Sequence, residues 1–490
     1  MDYPDLDVIR VEDTYYMVST TMHFMPGCEI LQSFDLVHWE HVTYVYETLD
    51  HTDAQQLKSG QNIYGQGMWA ASLRYHEGRF YICFVANDTR KTYLYTSEKI
   101  DGPWKKQLIE GFYHDGSLLF DEDGRNYIVY GNDEIWITEL NEDLTAPKKG
   151  GLHRLLVSDH KNPELGYEGS HIQKINGYYY IFLVHSLRDR WMRTEACFYS
   201  DSLEGEFTGG DVLCDDRGYC GQGVAQGGIV DTPDGKWYAM LFQDSGAVGR
   251  IPILLPVTWK DHFPFFGQNG HVPEEIEVHS TRPGYIYQPL VGSDDFCNGL
   301  LPRWQFNHDP DPRYYHLDAL QGTYTITTRE VCTELTQAVN TLTQRMSYPS
   351  CAAEVTVDAS ALKEGDVAGL CALQSCYAAV GITKHHGKYE VLMLDKKEDG
   401  ILDMTEGTVV ESHQMDFRLE ADFCNMKDEA RCYYRVNKGD WLPIGTVHKL
   451  YFKLDHFTGC RFGLFCYAAE ETGGSACFRD FKYYDVDEIS

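Results

Sequence analysis

The sequence predicts an all-β protein, a five-bladed β-propeller followed by a β-sandwich, on three observations. Short apolar or alternating segments separated by Gly, Asn and Asp turns run the length of the chain, and almost no window has the 3.6-residue period of an amphipathic helix. One hairpin recurs five times in the first 240 residues, as "VEDTYYMV" at Val11, "HEGRFYIC" at His76, "EDGRNYIV" at Glu122, "INGYYYIF" at Ile175 and "PDGKWYAM" at Pro233. These copies lie roughly 46 to 65 residues apart, the period of a four-stranded propeller blade. Near residue 290 the repeat stops, and a Pro/Gly-rich connection leads into a second run of strands.

Each copy is a polar turn followed by an aromatic strand. The fourth is the clearest: Asn176-Gly177 is a two-residue hairpin turn between an apolar strand and an aromatic one. Anchoring the copies on their shared tyrosines (Tyr16, Tyr81, Tyr127, Tyr180, Tyr238) places Trp69, Asp115, Glu168 and Gln226 twelve residues upstream, and Asp5 eleven upstream. In a propeller the innermost strand of each blade lines the axis, so equivalent positions of successive blades converge at one end of it. An isolated carboxylate before a strand is ordinarily a solvated turn residue or a local cap. Three at one repeat-equivalent position raise one another's pKa in a concave site, which suits acid/base chemistry. A protonated and an ionised carboxyl across a pocket are the equipment of glycoside hydrolysis, and an indole such as Trp69 packs on the apolar face of a sugar. Trp69 reads equally well as a core residue between blades.

Composition narrows the partners. Against 42 Lys and Arg stand 74 Asp and Glu, a formal net charge of -32, which repels nucleic acid and anionic membrane surfaces. No apolar run approaches the ~20 residues of a membrane span. The N-terminus lacks the basic start and apolar core of a secretory signal. Fifteen cysteines, none at CxxC spacing, read as reduced thiols. Cytoplasmic location is the expectation, with a small oligosaccharide as substrate, no nucleic acid or membrane partner, and a homo-oligomer compatible with the sequence.

The blocks "YPDLDVIRVEDTYYMVST", "GMWAASLRYHEGRFYICF", "HDGSLLFDEDGRNYIVYG", "YEGSHIQKINGYYYIFLVHS" and "GAVGRIPILLPVTW" together resemble glycoside hydrolase family 43, the β-xylosidase and α-L-arabinofuranosidase group. The resemblance implies a five-bladed propeller and single-displacement hydrolysis with inversion. It implies Asp5 as the general base, Glu168 as the general acid and Asp115 as the residue that orients the acid and tunes its pKa, with Asp7 a neighbouring rival to Asp5. Inversion would set the carboxyl groups of Asp5 and Glu168 about 6.5 to 9.5 Å apart. Arg250, in "GRIP", resembles the arginine that reaches a sugar hydroxyl, and Phe24 an aromatic wall of the pocket with core packing as the equal alternative. Gln226 stands where many members carry a histidine that accompanies a calcium or sodium ion, which puts that ion in doubt although amide oxygens and waters also bind calcium. His171 and His185 are read as structural histidines that could also reach a hydroxyl.

The predicted domains are residues 1–288, the propeller, and 289–490, the sandwich. The second half resembles the concanavalin A-like domain of one branch of the family, with "NTLTQR" as a shared block, and is expected to close one side of the pocket. Asp295 and Asp480, near its two ends, offer carboxylates for a structural calcium ion, or are solvated turn residues. No cofactor is required for the chemistry. The function expected is exo-acting, inverting release of xylose or arabinofuranose from short oligosaccharides. Its alternatives are an endo-acting arabinanase-like enzyme and a non-catalytic carbohydrate-binding propeller.

Overall fold

A computed structural model describes residues 1–485. Its first half is five four-stranded antiparallel sheets, each made of strands in chain order, with only the short Phe24–Met25 intervening in the first. Blade I holds Asp7–Val11, Thr14–Ser19, Gly27–Ser33 and Glu40–Tyr46; blade II holds Met68–His76, Arg79–Ala86, Lys91–Ser97 and Lys105–Ile109. Blade III holds Ser117–Phe120, Asn126–Asn132, Glu134–Leu140 and His153–Ser158. Blade IV holds Glu168–Ile175, Tyr178–Ser186, Arg193–Ser200 and Thr208–Leu213, and blade V holds Ala225–Asp231, Trp237–Asp244, Arg250–Lys260 and Phe263–Phe266. The five repeated hairpins join the two innermost strands of each blade. At the Asn176-Gly177 turn both residues have positive φ, 50° and 85°, as a type I′ hairpin requires.

A separate apolar core fills each gap between neighbouring blades, including the one between blades V and I, where Tyr15 and Met17 meet Tyr238 and Met240. No strand is shared across that last gap. Side chains and loops close it: Arg10 pairs with Asp231, and the Tyr3 amide donates to the Arg250 carbonyl at 3.0 Å.

The axis is held by a charged knot. Asp7 is buried, and its carboxylate accepts from Arg74 Nη1 at 2.7 Å and from the Leu73 amide at 2.8 Å, and meets His171 Nδ1 at 3.1 Å. Arg74 also donates to the Leu118 carbonyl, to Ser117 Oγ and to the Ile172 carbonyl, at 2.9, 2.7 and 3.2 Å. One guanidinium thus ties blades I to IV. Burial pushes the Asp7 carboxyl up, but Arg74 and His171 outweigh it and hold the pKa down at about 2.

The second half is a sandwich of a nine-stranded and a seven-stranded sheet around one large core that includes Phe417, Phe462 and Phe478. The Asp294 amide donates to the Phe481 carbonyl at 2.9 Å, so the two ends of this domain are adjacent. Phe24–Met25 leaves blade I and pairs with Gln305–Asn307, which makes a propeller segment an edge strand of the nine-stranded sheet. Arg345 adds a second tie, reaching Glu29 Oε2 at 2.7 Å and the Asp2 carbonyl at 2.9 Å.

Replacing Arg74 with Met strands a buried carboxylate and should cost about 3–5 kcal/mol, read as a lowered Tm, whereas the Asp7→Leu/Arg74→Met double replacement should cost less than the single one. Because the folded-state pKa of Asp7 is depressed, its stabilisation is present above the unfolded value of about 3.9 and is lost as pH falls toward about 2. Tm measured across pH 5 to 2 should therefore fall less steeply in the double variant.

Candidate active site

At one end of the axis lies a cavity of about 690 Å³, within the usual range for small-ligand sites. Asp5, Trp69, Asp115, Glu168 and Gln226, the five repeat-equivalent residues, all line it, and so does Arg250. The local backbone explains how they reach it. Three innermost strands carry a register shift at the same place, between Met68 and Ala71, Glu168 and His171, and Ala225 and Gly228. A bulge of this kind re-aims the side chains at the mouth of a strand. Asp5, Asp115 and Gln226 have φ of 50°, 47° and 65°, sparsely populated for residues with a Cβ and tolerated best by Asp and Asn. Gly169 has φ of 65° and lies so close to Gln226 that a Cβ would stand 2.9 Å from its Cγ. Only glycine suits the position after Glu168.

Asp5 is buried and receives Arg250 Nη1 at 2.8 Å. Burial raises its pKa to about 6; Arg250 opposes the rise, and the charges of Asp115 and Glu168 add to it. Arg250 is itself clamped from the second domain, since its guanidinium lies 4.4 Å from the Phe457 ring centre and donates to the Phe457 carbonyl at 3.3 Å. Across the cavity, Asp115 accepts the Gly169 amide at 3.0 Å, and Glu168 Oε2 accepts from Asn132 Nδ2 at 2.6 Å. His114 Nε2 sits between them, 3.6 Å from Asp115 Oδ2 and 3.5 Å from Glu168 Oε2. Burial and the Glu168 charge raise the Asp115 carboxyl against the pull of His114. In Glu168 burial pushes upward, but the hydrogen bond and charge of His114, with Arg193 and Asn132, hold it below the usual value. The three carboxyls are unequal: those of Asp5 and Asp115 are pushed up, and that of Glu168 is held down.

Several lining residues carry no signal in the repeat. His114 and Asn132 come from blade III, Trp191, Arg193 and Asp244 from blades IV and V, and Phe452, Leu454 and Phe457 from the sandwich. Arg193 Nε pairs with Asp244 Oδ2 at 2.9 Å. His114 adjoins Asp115 in "HDGS" and could have been singled out on that ground alone, whereas the sandwich loop is 450 residues from Asp5 and nothing in its sequence points back.

The remaining expected positions lie elsewhere. Phe24 does not line the cavity: its strand is spent on the sandwich sheet, and its buried ring packs 3.5 Å beneath the Arg461 guanidinium. Phe457 and Trp69, with ring centres 5.7 Å apart, supply the aromatic wall instead. Asp7 faces the axis as the partner of Arg74, so it does not rival Asp5. His171 is engaged by Asp7, and His185 Nε2 meets Asp211 at 2.8 Å. Asp295 and Asp480 are exposed, Asp295 accepts the Cys297 amide at 3.0 Å, and neither belongs to a converging group of three side-chain ligands among the described residues. Gln226 packs against Gly169, and its amide donates to Glu195 Oε2 at 2.7 Å.

A closed propeller whose cavity gathers Asp5, Asp115 and Glu168 beside aromatic side chains has the side-chain set of an acid/base hydrolase of glycosidic bonds. Residues 1–264 match the profile of Glycosyl hydrolases family 43, and residues 293–484 that of the Beta xylosidase C-terminal Concanavalin A-like domain. The chain belongs to glycosyl hydrolase family 43. It is similar to a Beta-xylosidase from Formosa agariphila, 26% identical over 547 residues that cover 99% of this chain and 88% of that protein. A Xylosidase/arabinosidase from Humicola insolens is 25% identical over 531 residues, 98% of this chain and 95% of its own. The structure described as a bifunctional GH43-CE protein from Bacteroides eggerthii superposes with a TM-score of 0.92 at 42% identity. That match takes in all of this chain and 63% of the other, so this chain spans under two thirds of that bifunctional protein.

Since Arg250 lowers the Asp5 pKa, Arg250→Gln should raise it. A pH–rate profile on a nitrophenyl pentoside should then show the acid limb of kcat/KM at higher pH in the variant than in the wild type.

Proposed function

We propose that this glycoside hydrolase is an exo-acting, inverting β-xylosidase/α-L-arabinofuranosidase that releases single pentoses from short xylo-, arabinoxylo- or arabino-oligosaccharides. The observation that carries this reading is the convergence of Asp5, Asp115 and Glu168 on a cavity walled on one side by the sandwich residues Phe452, Leu454 and Phe457. A wall at that point favours a chain end over the middle of a chain, and so an exo enzyme over an endo one. Three mutually repelling acids are of little use to a binding module, which speaks against the non-catalytic alternative. The names borne by the relatives, xylosidase and arabinosidase, support pentose as the sugar.

In the mechanism, the ionised Asp5 accepts a proton from water as that water attacks the anomeric carbon. Glu168 gives a proton to the departing glycosidic oxygen, while Asp115 orients the acid through its bond to the Gly169 amide. Arg250 holds Asp5 in place, and the indole of Trp69 offers a face to the sugar ring. Trp69, Arg193, Asp244 and Arg250 line the cavity and bring polar as well as aromatic surface to a polyhydroxylated ligand. All fifteen cysteines are free thiols, which supports a reducing compartment and imported oligosaccharides as substrate.

The wild type should cleave nitrophenyl β-xyloside or nitrophenyl α-arabinofuranoside, and proton NMR at early times should show the inverted anomer, α-xylose from a β-xyloside. Glu168→Ala should be slowed at least about a hundredfold on a natural xylo-oligosaccharide, whose leaving group needs a proton, and less on the nitrophenyl glycoside. Persistent sugar binding with no turnover of any pentoside would replace this reading with a lectin-like one.

A further inference from the structure

We propose that His114 is a positioning residue that acts through Glu168, storing the proton which the acid delivers to the leaving group; this deepens the reading of the cavity above and rests on it. The geometry is specific. The imidazole Nε2 lies within 3.5 Å of the acid and 3.6 Å of Asp115, is buried, and has no other partner in the protein. Trp69 stands edge-on to the ring, with centres 5.8 Å apart, and limits how far it can swing. Asn132 Nδ2 donates to the same Glu168 oxygen that His114 faces, so that oxygen is fixed on the histidine side of the cavity.

The charges around the ring are lopsided. Asp115, Glu168 and, more distantly, Asp5 face it from blades III, IV and I; the nearby cations are Arg193, acting on Glu168 and Asp5, and Arg250, bound to Asp5. The Asp115 charge, followed by the hydrogen bond and charge of Glu168, raises the His114 pKa to about 9 against the effect of burial. The cluster of His114, Asp115 and Glu168 therefore keeps one proton well above the range of an isolated carboxyl, and it rests on the imidazole while Glu168 stays ionised. Two carboxylates alone would have to retain that proton by mutual repulsion.

The proton count closes. During turnover the His114 Nε2–H bond breaks and the proton passes to Glu168, leaving a neutral imidazole. Glu168 passes the proton to the glycosidic oxygen as its bond to the anomeric carbon breaks, and Asp5 takes the proton of the attacking water. The cluster has lost one proton and Asp5 has gained one, so exchange between Asp5, His114 and solvent restores the enzyme. The 3.5 Å separation must shorten when the sugar fills the cavity, as catalytic hydrogen bonds often do on substrate binding.

The test is the pH dependence of kcat/KM for wild type, His114→Phe and His114→Asn on xylobiose, with nitrophenyl β-xyloside as the substrate that needs little protonation. The proposal expects the alkaline limb on xylobiose to move down by roughly one pH unit or more in both variants, with the acid limb of Asp5 retained and a smaller change on the nitrophenyl substrate. Should the variants fold poorly, nitrogen-15 NMR of the wild-type imidazoles supplies the second reading: the His114 resonance should titrate near pH 9, and at lower pH in Glu168→Gln. A wild type active on xylobiose with an alkaline limb unmoved in both variants, or a His114 resonance that titrates near 6.5, overturns the role of His114 and leaves the hydrolase reading standing. A wild type inert on every pentoside overturns both.

Discussion

The Asp7–Arg74 pair is the constraint from which the rest of the propeller follows. Five sheets packed only by apolar cores could slide or splay about their axis, because hydrophobic contact is not directional. A guanidinium has five donors in a fixed fork, and Arg74 spends them on Asp7, on carbonyls and on a hydroxyl contributed by four blades. Each of these bonds sets a distance and an angle between innermost strands. With the innermost strands of blades I to IV fixed in register around the axis, the residues two to five positions nearer the cavity are fixed too, and Asp5, Trp69, Asp115 and Glu168 arrive at one point. The pair is buried and costly to desolvate, so its contribution lies in specifying one arrangement of the blades more than in adding stability.

Much of this was legible in the sequence because repetition makes geometry readable. A hairpin copied five times fixes the number of blades, and counting back from Tyr81, Tyr127, Tyr180 and Tyr238 reaches residues that do share a cavity. Arg250 was also legible, through its "GRIP" block. What stayed hidden depends on contacts between residues far apart in the chain. The bulges at Trp69, Glu168 and Gln226 are differences between two paired strands and cannot be seen in either one alone. Phe24 looked like a pocket aromatic, but its strand finds a better hydrogen-bonding partner in Gln305–Asn307 than blade I could offer. Asp7, two residues from Asp5 and chemically similar, became its opposite: both are buried, yet the pKa is held down at about 2 in one and raised to about 6 in the other. Arg74 with hydrogen bonds from His171 and the Leu73 amide makes the difference for Asp7, and the like charges of Asp115 and Glu168 for Asp5.

The sandwich contributes to the site by contact. Its loop lays Phe452, Leu454 and Phe457 along one wall, and Phe457 carries Arg250 on its ring and carbonyl. The orientation of Arg250, and through it of Asp5, is therefore set from both domains: Asp2 accepts the amides of Arg250 and of Gly459 with its two oxygens, each at 2.7 Å. A substitution in the sandwich loop would thus reach the chemistry through Arg250.

The edge strand Phe24–Met25 and the Asp2 staple bear on how the protein is made. A propeller of consecutive blades can assemble blade by blade as the chain leaves the ribosome, yet the segment around residue 24 waits for residues 305–307, and Asp2 waits for residue 459. Until those arrive the two-residue segment Phe24–Met25 lacks its backbone partners, and the cavity has an open side. Maturation of the pocket is in this way tied to synthesis of the second domain: only once residues 452–459 are in place do Asp5, Arg250 and the aromatic wall stand together.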